Sequence, residues 1–122
     1  MAVTGIGGIF FKAKDPKSLN AWYTKHLGVN DMNVNYEPWD QAAGPTVFAL
    51  FADDDKESFG DPSQHFMLNF RTDDLAALVS QLKADDVKIV KEIENQASIG
   101  LFASIEDPEG NRVELWQPEA EE

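Results

Sequence analysis

Residues 65–82, HFMLNFRTDDLAALVSQL, join a strand pattern directly to a helix pattern, and this junction decides the fold. Apolar residues alternate with other residues along the strand predicted at 65–72, at Phe66, Leu68 and Phe70. The pair Asp73-Asp74 can cap a helix that follows at once. The apolar stripe of that helix consists of Leu75, Leu78, Val79 and Leu82. The stretch therefore indicates a mixed α+β fold with a helix on the back of a sheet.

The residues after this helix predict three more strands, at 87–93, 98–105 and 111–116. Between the last two, residues 107–110 (DPEG) have aspartate, proline and glycine at the first, second and fourth positions of a type I turn. We therefore expect a tight turn before the last strand, and a charged, loose tail at 119–122.

The first half of the chain predicts the same order of elements. Residues 5–14, GIGGIFFKAK, alternate as a first strand, and Asp15-Pro16 supplies an N-cap followed by proline at the first helical position. Gly28 stands where the C-cap of this helix belongs. The stripe of the helix consists of Leu19, Trp22, Tyr23 and Leu27. Short extended pieces at 31–39 and a strand at 46–51 follow, and the polar residues 53–63 link the halves.

The chain thus reads as two tandem βαβββ modules, at about 4–58 and 64–118, within a single domain. Each module offers a sheet with one helix on its back. Two such units commonly place their sheets side by side, so that the helix-free faces line a cleft.

The amino-acid composition indicates which classes of partner and which cellular compartment to expect. The 122 residues include 22 acidic and 10 basic residues, and a surface with a net charge of −12 repels phosphate backbones and anionic lipids. We therefore expect no nucleic-acid partner, and no membrane partner because no apolar run approaches the roughly 18 residues of a membrane helix. The lack of cysteine excludes disulfides and thiolate metal sites, and it suits the reducing cytoplasm in which we expect the protein to work.

Three elements in this order resemble the vicinal oxygen chelate superfamily, which includes glyoxalases, bleomycin-resistance proteins and extradiol dioxygenases. The first is the strand end at 14–15 (KD) followed by 22–23 (WY) and 27–28 (LG). The second is 70–75 (FRTDDL), and the third is the terminal segment 107–115 (DPEGNRVEL). The resemblance covers residues 5–118.

The resemblance implies a cup-shaped, partly open mixed β-barrel with the helices on its outside, built from the two modules. In many members the cup holds a divalent metal, bound by histidine, glutamine or glutamate from four strands, which chelates two adjacent substrate oxygens. Such donors leave open metal positions for an enediolate or a peroxide. Members usually form homodimers, and an edge strand such as 46–51 would gain by being covered.

The four family ligand positions fall mostly on residues that bind metal poorly. In chain order they are Gly8, Ala49, Met67 and Glu114. Only Glu114 carries a carboxylate. His65 is two residues before Met67, on the same strand face, and could act as a shifted ligand. We therefore predict no cofactor, and a divalent metal belongs to the alternative in which Glu114 and His65 are ligands.

Alternation along the strands identifies the other residues that would face the cup. The candidate ligand-binding residues are Phe10, Lys12, Asn69, Arg71, Arg112, Glu114 and Trp116. Their aromatic, amide, guanidinium and carboxylate groups suit a small polar aromatic ligand. Alternatively, Phe10 and Trp116 fill the barrel while Arg71 pairs with Glu114, which would leave little room.

These features favour a glyoxalase-like protein that binds a small metabolite in the cup without the usual four-ligand metal site. One alternative is a metal-dependent lyase, isomerase or dioxygenase with a rearranged site using His65 and Glu114. Another is a drug-binding dimer similar to the bleomycin-resistance proteins, for which the acidic charge would favour a cationic guest. The residues alone keep both a binding protein and an enzyme open.

Overall fold

The computed structural model describes residues 2–55 and 57–120, and these residues form three helices and four strands. In chain order the elements are α1 (Pro16–Leu27), α2 (Met32–Asn35), β1 (Leu68–Arg71), α3 (Leu75–Ala84), β2 (Lys88–Gln96), β3 (Gly100–Glu106) and β4 (Arg112–Pro118). Residue 56 of the predicted linker and residues 121–122 of the predicted tail lie outside the described residues. Among the residues that are described, no helix is both long enough and apolar enough to cross a membrane.

Both long helices begin at an aspartate cap, as predicted. The Asp15 carboxylate accepts a hydrogen bond from the Ser18 N–H at 3.2 Å, and Asp74 accepts one from the Ala77 N–H at 3.0 Å. Each bond satisfies an N–H group that the first turn of a helix leaves without a partner. α1 ends at Gly28, whose left-handed backbone (φ 71°) confirms the predicted C-cap.

The four strands form one mixed sheet in the order β1-β4-β3-β2. β1 runs parallel to β4, with Asn69 opposite Glu114, whereas β3 runs antiparallel to both β4 and β2. A parallel pair needs a crossover connection, and α3 with the two following strands makes it. This βαβββ order confirms the strands predicted in the second half, although β1 is shorter than the predicted 65–72.

The core lies between the helices and one face of this sheet. The Leu75 N–H at the start of α3 donates to Gln117 Oε1 at 2.8 Å, so the odd-numbered residues of β4 point toward α3. The buried apolar cluster consists of Leu19, Tyr23, Leu75, Val79, Leu82, Val87, Ala103, Ile105, Val113 and Leu115. Burying each large aliphatic side chain stabilises the fold by about 1.5–3 kcal/mol. The even-numbered residues of β4 point to the opposite face.

The turn between β3 and β4 holds α1 against the core. Gly110 N–H donates to the Asp107 carbonyl at 3.0 Å, which confirms the predicted turn. The Tyr23 hydroxyl of α1 donates to Asp107 Oδ2 at 2.7 Å in a buried hydrogen bond. The Glu109 carboxylate accepts two backbone N–H groups directly before α1, at 2.6 and 3.0 Å. The first helix is therefore fixed to the second half of the chain.

The strands predicted at 5–14 and 46–51 do not form in the single chain, where no strand occurs within residues 2–55. A strand exists only where a neighbour pairs with its N–H and C=O groups, and neither segment has such a neighbour. Their apolar side chains stay largely in solvent, with Phe10 94 % exposed and Leu50 87 % exposed. The described residues thus contain one βαβββ unit, and of the predicted first module they show the helix α1 without its strands.

The extended pieces predicted at 31–39 are also partly wrong, because α2 occupies Met32–Asn35. The Asp31 carboxylate accepts a hydrogen bond from the Asn33 N–H at 3.0 Å and so starts this single turn. Local capping by a short polar side chain competes with extended backbone at such positions.

Candidate functional site

The face of the sheet that α3 leaves uncovered carries most of the candidate site. Strand alternation and register place side chains from all four strands on it. We call it the helix-free face, and its residues are Asn69, Arg71, Lys88, Lys91, Glu94, Phe102, Ser104, Glu106, Arg112, Glu114 and Trp116. Five of the seven residues predicted to bind a ligand therefore share one surface.

A hydrogen bond joins the centre of this face across the parallel strand pair. Asn69 Nδ2 donates to Glu114 Oε1 at 2.7 Å, and the two residues stand directly opposite each other in the register. A charge-assisted bond of this kind fixes the rotamer of the carboxylate. The pair can therefore offer a ligand an oriented acceptor beside an amide.

Trp116 supplies the aromatic part of the face. Its ring is stacked on Phe102 of β3, with centroids 5.9 Å apart and planes 8° from parallel. The indole N–H donates to the Ile99 carbonyl at 3.0 Å, and the residue is only 7 % exposed. With its polar atom satisfied and its ring packed, Trp116 forms a rigid base for the site.

Arg71 is half-buried and contacts the first half of the chain. Its Nη2 donates to the Ala42 carbonyl at 3.3 Å, and a Cβ added at Gly44 would collide with its guanidinium group. Among the described residues no ion pair joins Arg71 to Glu114. The alternative in which these two side chains neutralise each other is therefore not the arrangement observed.

Arg112 holds the linker between the two halves. Its guanidinium donates to the Glu57 carbonyl at 2.8 Å and lies against Gly60. Its backbone N–H donates to Gln64 Oε1, while Gln64 Nε2 donates back to the Arg112 carbonyl, at 2.8 and 2.9 Å. The side chain and backbone of Arg112 are therefore engaged in contacts within the protein, at the edge of the helix-free face.

The two remaining predicted residues lie outside the sheet. Phe10 and Lys12 are both exposed on the segment 5–14, where no strand forms. The ring of Phe10 lies close to Gly8, since a Cβ added there would be 3.2 Å from it. The structure does not bring these two side chains onto the helix-free face, because the strand that would carry them lacks a partner.

His65 lines a separate open cleft of about 250 Å³ beside the turn between β3 and β4. The cleft is lined by Asp61, Ser63, Gln64, His65, Phe66, Glu109, Gly110 and Asn111. Hydrogen bonds from the Ser63 hydroxyl and N–H hold the pKa of Asp61 below its usual range. The cleft is smaller than an ordinary small-molecule site and holds none of the residues of the helix-free face. We regard that face as the better candidate because it carries five of the seven residues predicted to bind a ligand.

The residues at the family ligand positions do not make a donor set for a hard divalent ion. Gly8 and Ala49 offer no donor, and Met67 offers only a thioether. Glu114 is already engaged by Asn69, and His65 lines the cleft that Glu114 does not. Nowhere in residues 2–55 and 57–120 do three or more His, Asp or Glu side chains converge as metal ligands.

Sequence reasoning missed the contribution of β3 to the face. Phe102 lies opposite Trp116, and Ser104 lies opposite Glu114. The available signal was the turn at 107–110, because an antiparallel pair closed by a turn of known length has a defined register. Counting outward from that turn would have identified both residues.

The comparisons with known proteins agree with this fold. The family model for the glyoxalase/bleomycin resistance protein/dioxygenase superfamily matches residues 5–115. The chain therefore belongs to this superfamily. No protein of curated function matches it.

Two solved structures share the fold. One is TnmS3, an antibiotic binding protein from Streptomyces sp. CB03234, with a TM-score of 0.60 and 20 % identity over 98 % of this chain and 99 % of that one. The other is a protein of unknown function from Agrobacterium tumefaciens str. C58, with a TM-score of 0.54 and 15 % identity over 93 % and 98 % of the two chains. Both chains are spanned almost completely, so the similarity extends to the first half.

Proposed function

We propose that the protein binds a small organic molecule on the helix-free face, through side chains of the sheet and without a four-ligand metal site. The Asn69–Glu114 hydrogen bond carries this proposal, because it presents an oriented polar pair beside the packed ring of Trp116. Small-molecule sites combine an apolar wall with a few fixed polar groups in this way. Membership of the superfamily supports this proposal, since the superfamily is named after both a resistance protein and enzymes.

The proposed assembly is a homodimer in which the first half of each chain completes a cup. Large apolar side chains crowd the exposed first half, notably Phe10, Val47, Phe48, Leu50 and Phe51. Apolar surface of this extent marks an interface in a stable protein. On association the segments 5–14 and 46–51 would gain strand partners, which would form the first βαβββ module and the partly open barrel.

Binding of an antibiotic or similar drug is a second candidate function. TnmS3 is an antibiotic binding protein and shares the fold over nearly the full length of both chains. A protein that sequesters a drug needs fixed contact groups and no reactive group, which agrees with the Asn69–Glu114 hydrogen bond and the packed ring of Trp116.

A ligand-dependent unfolding experiment tests the proposal. Each member of a panel of small aromatic metabolites and antibiotics is added, and a ligand of the native state should raise the thermal midpoint in proportion to its occupancy. The shift should disappear in Asn69→Ala and Glu114→Ala. Glu92→Ala is the matched control, because Glu92 binds Lys83 of α3 at 2.7 Å and lies away from the helix-free face. A shift that survives Glu114→Ala would place the ligand elsewhere.

A further inference from the structure

Basic residues are concentrated on the helix-free face of an otherwise acidic chain. The whole chain has 22 acidic and 10 basic residues, yet this face has four basic residues against three acidic ones. Both arginines of the chain, Arg71 and Arg112, are among them. The surface around the proposed site therefore differs in sign from the remainder of the molecule.

Arg71 is the arginine of this face with binding capacity left; Lys91 also lacks an ion pair among the described residues, but it is an exposed single ammonium opposite Ser104, without the planar fork of a guanidinium. Arg112 is held by the linker, and Lys88 pairs with Glu106 at 2.9 Å. Arg71 makes one hydrogen bond, to the Ala42 carbonyl, and forms no ion pair with any described residue. A guanidinium group has five donors in a planar fork, so most of its donors are available.

The neighbouring carboxylate does not neutralise this guanidinium. Glu114 accepts its hydrogen bond from Asn69, and Arg71 stands opposite Trp116 in the strand register. A half-buried charge without a counter-charge is costly, and an anionic ligand would supply the missing partner. The acidic remainder of the chain opposes this only weakly, because screening limits its reach to about 8 Å at physiological ionic strength.

We infer that the small molecule carries a carboxylate next to an aromatic ring, with the carboxylate bound by the fork of Arg71 and the ring beside Trp116. This inference rests on the proposed function and adds the chemical class of the ligand. The inferred ligand is an anion, whereas the net charge of the whole chain favours a cationic ligand. The charged groups at the site determine the preference because they are closer to the ligand than the other acidic residues are.

Three probes with one ring system test the inference: 2-naphthoate, 2-naphthylmethanol and 2-naphthylmethylammonium. Calorimetric titration at physiological salt should rank the anion first and the cation last, with at least about a tenfold difference, as a charge-assisted bond implies. Arg71→Gln should remove the advantage of the anion, and Arg71→Lys should restore part of it. Gly44→Ala should also weaken naphthoate binding without any change of charge, because it displaces the guanidinium.

The control is Lys83→Gln, which removes the same charge from α3 at an exposed ion pair. It should leave naphthoate affinity unchanged, and circular dichroism verifies that every variant is folded. Tighter binding of the ammonium probe overturns the carboxylate inference but keeps the proposed function. Naphthoate binding that is insensitive to Arg71→Gln also overturns the inference. If none of the three probes binds at millimolar concentration, both the inference and the proposed site fail.

Discussion

The hydroxyl of Tyr23 donates to Oδ2 of Asp107 at 2.7 Å, across 84 positions of sequence and in a buried environment. The same carboxylate accepts the backbone N–H groups of Glu109 and Asn111, at 2.9 and 3.0 Å. One side chain therefore shapes the last turn and docks the first helix. This contact is a buried polar link between the two halves of the chain.

Tyr23→Phe should destabilise the protein by about 1–3 kcal/mol, because it removes one donor from a buried carboxylate. The loss should stay moderate, since Asn111 Nδ2 still donates to the same oxygen at 2.8 Å. Chemical denaturation measures the free energy of unfolding. Asp107→Ala should cost more, because the turn then loses its backbone contacts as well. Equal losses in the two variants would contradict the dual role of Asp107.

Stability should also fall in alkaline solution through Tyr23. Burial, reinforced by the hydrogen bond and the charge of Asp107, raises the pKa of Tyr23 well above its ordinary value of 10.0. A raised native pKa means that the contribution of the phenol is complete below about pH 10 and declines as the unfolded phenol ionises above it. The free energy of unfolding should therefore decrease above about pH 10, with a smaller decrease in Tyr23→Phe.

A spectroscopic titration checks the same group directly. Tyr36→Phe removes the only other tyrosine, so any tyrosinate absorbance then reports Tyr23. The absorbance should appear only together with loss of the native circular dichroism. Tyrosinate formation in the folded protein near pH 10 would show that the phenol is not held by Asp107.

Two adjacent aspartates provide a matched test of the cap of α3. Asp74→Ala should destabilise the protein by about 1 kcal/mol, because the Ala77 N–H loses its acceptor. Asp73→Ala should change stability little, since no hydrogen bond to its exposed side chain occurs in the described residues. Thermal unfolding of both variants measures the difference. A larger loss of stability in Asp73→Ala than in Asp74→Ala would show that Asp73 is the N-cap residue.

The sequence predicted the second half well because its signals are local and its strands find partners within the chain. Asp74, the turn at 107–110 and the alternation of β4 each describe a feature that depends on nearby residues or on a hairpin. Because side chains alternate along a strand, Asn69, Arg71 and Glu114 were expected to share one face, and the strand register places all three on the helix-free face. The contact of Arg71 with the Ala42 carbonyl depends on a distant loop, and alternation does not describe it.

The same reasoning overpredicted strands in the first half, for a physical reason. Alternation at 5–14 shows which side chains could share a face, but a strand also needs a neighbouring strand. The three glycines in GIGG add little side-chain packing to hold one. At 46–51 the apolar residues Val47, Phe48 and Leu50 are all largely exposed. Such a segment forms a strand only when another part of the protein, or a second copy of it, covers the apolar side chains.

The proposed homodimer predicts which substitutions change the mass in solution. Light scattering should give twice the monomer mass at tens of micromolar, and Leu50→Lys should shift it toward the monomer. Leu50 is 87 % exposed in the single chain, so the substitution should not disturb the core. Ser80→Lys, on the exposed side of α3, is the control and should remain dimeric. A monomeric mass for the wild type at this concentration contradicts the assembly.

The metal content of the purified protein distinguishes a binding protein from a metal enzyme. A catalytic site for a hard divalent ion needs two or three nitrogen or oxygen donors at fixed positions, with others left open. Gly8, Ala49 and Met67 supply none, and the carboxylate of Glu114 is shared with Asn69. A single carboxylate binds such an ion weakly, so protein purified without chelator should contain substoichiometric nickel, zinc, iron and manganese. Adding these ions should produce no glyoxalase activity.

Metal analysis of Glu114→Gln and His65→Ala completes this test. Because His65 lies in the cleft beside the turn rather than with Glu114, neither substitution should alter the trace metal content. If the wild type retains stoichiometric metal through dialysis and both variants lose it, His65 and Glu114 are metal ligands. The two side chains would then meet in a rearranged site, and the metal-dependent lyase, isomerase or dioxygenase would replace the binding protein as the preferred function.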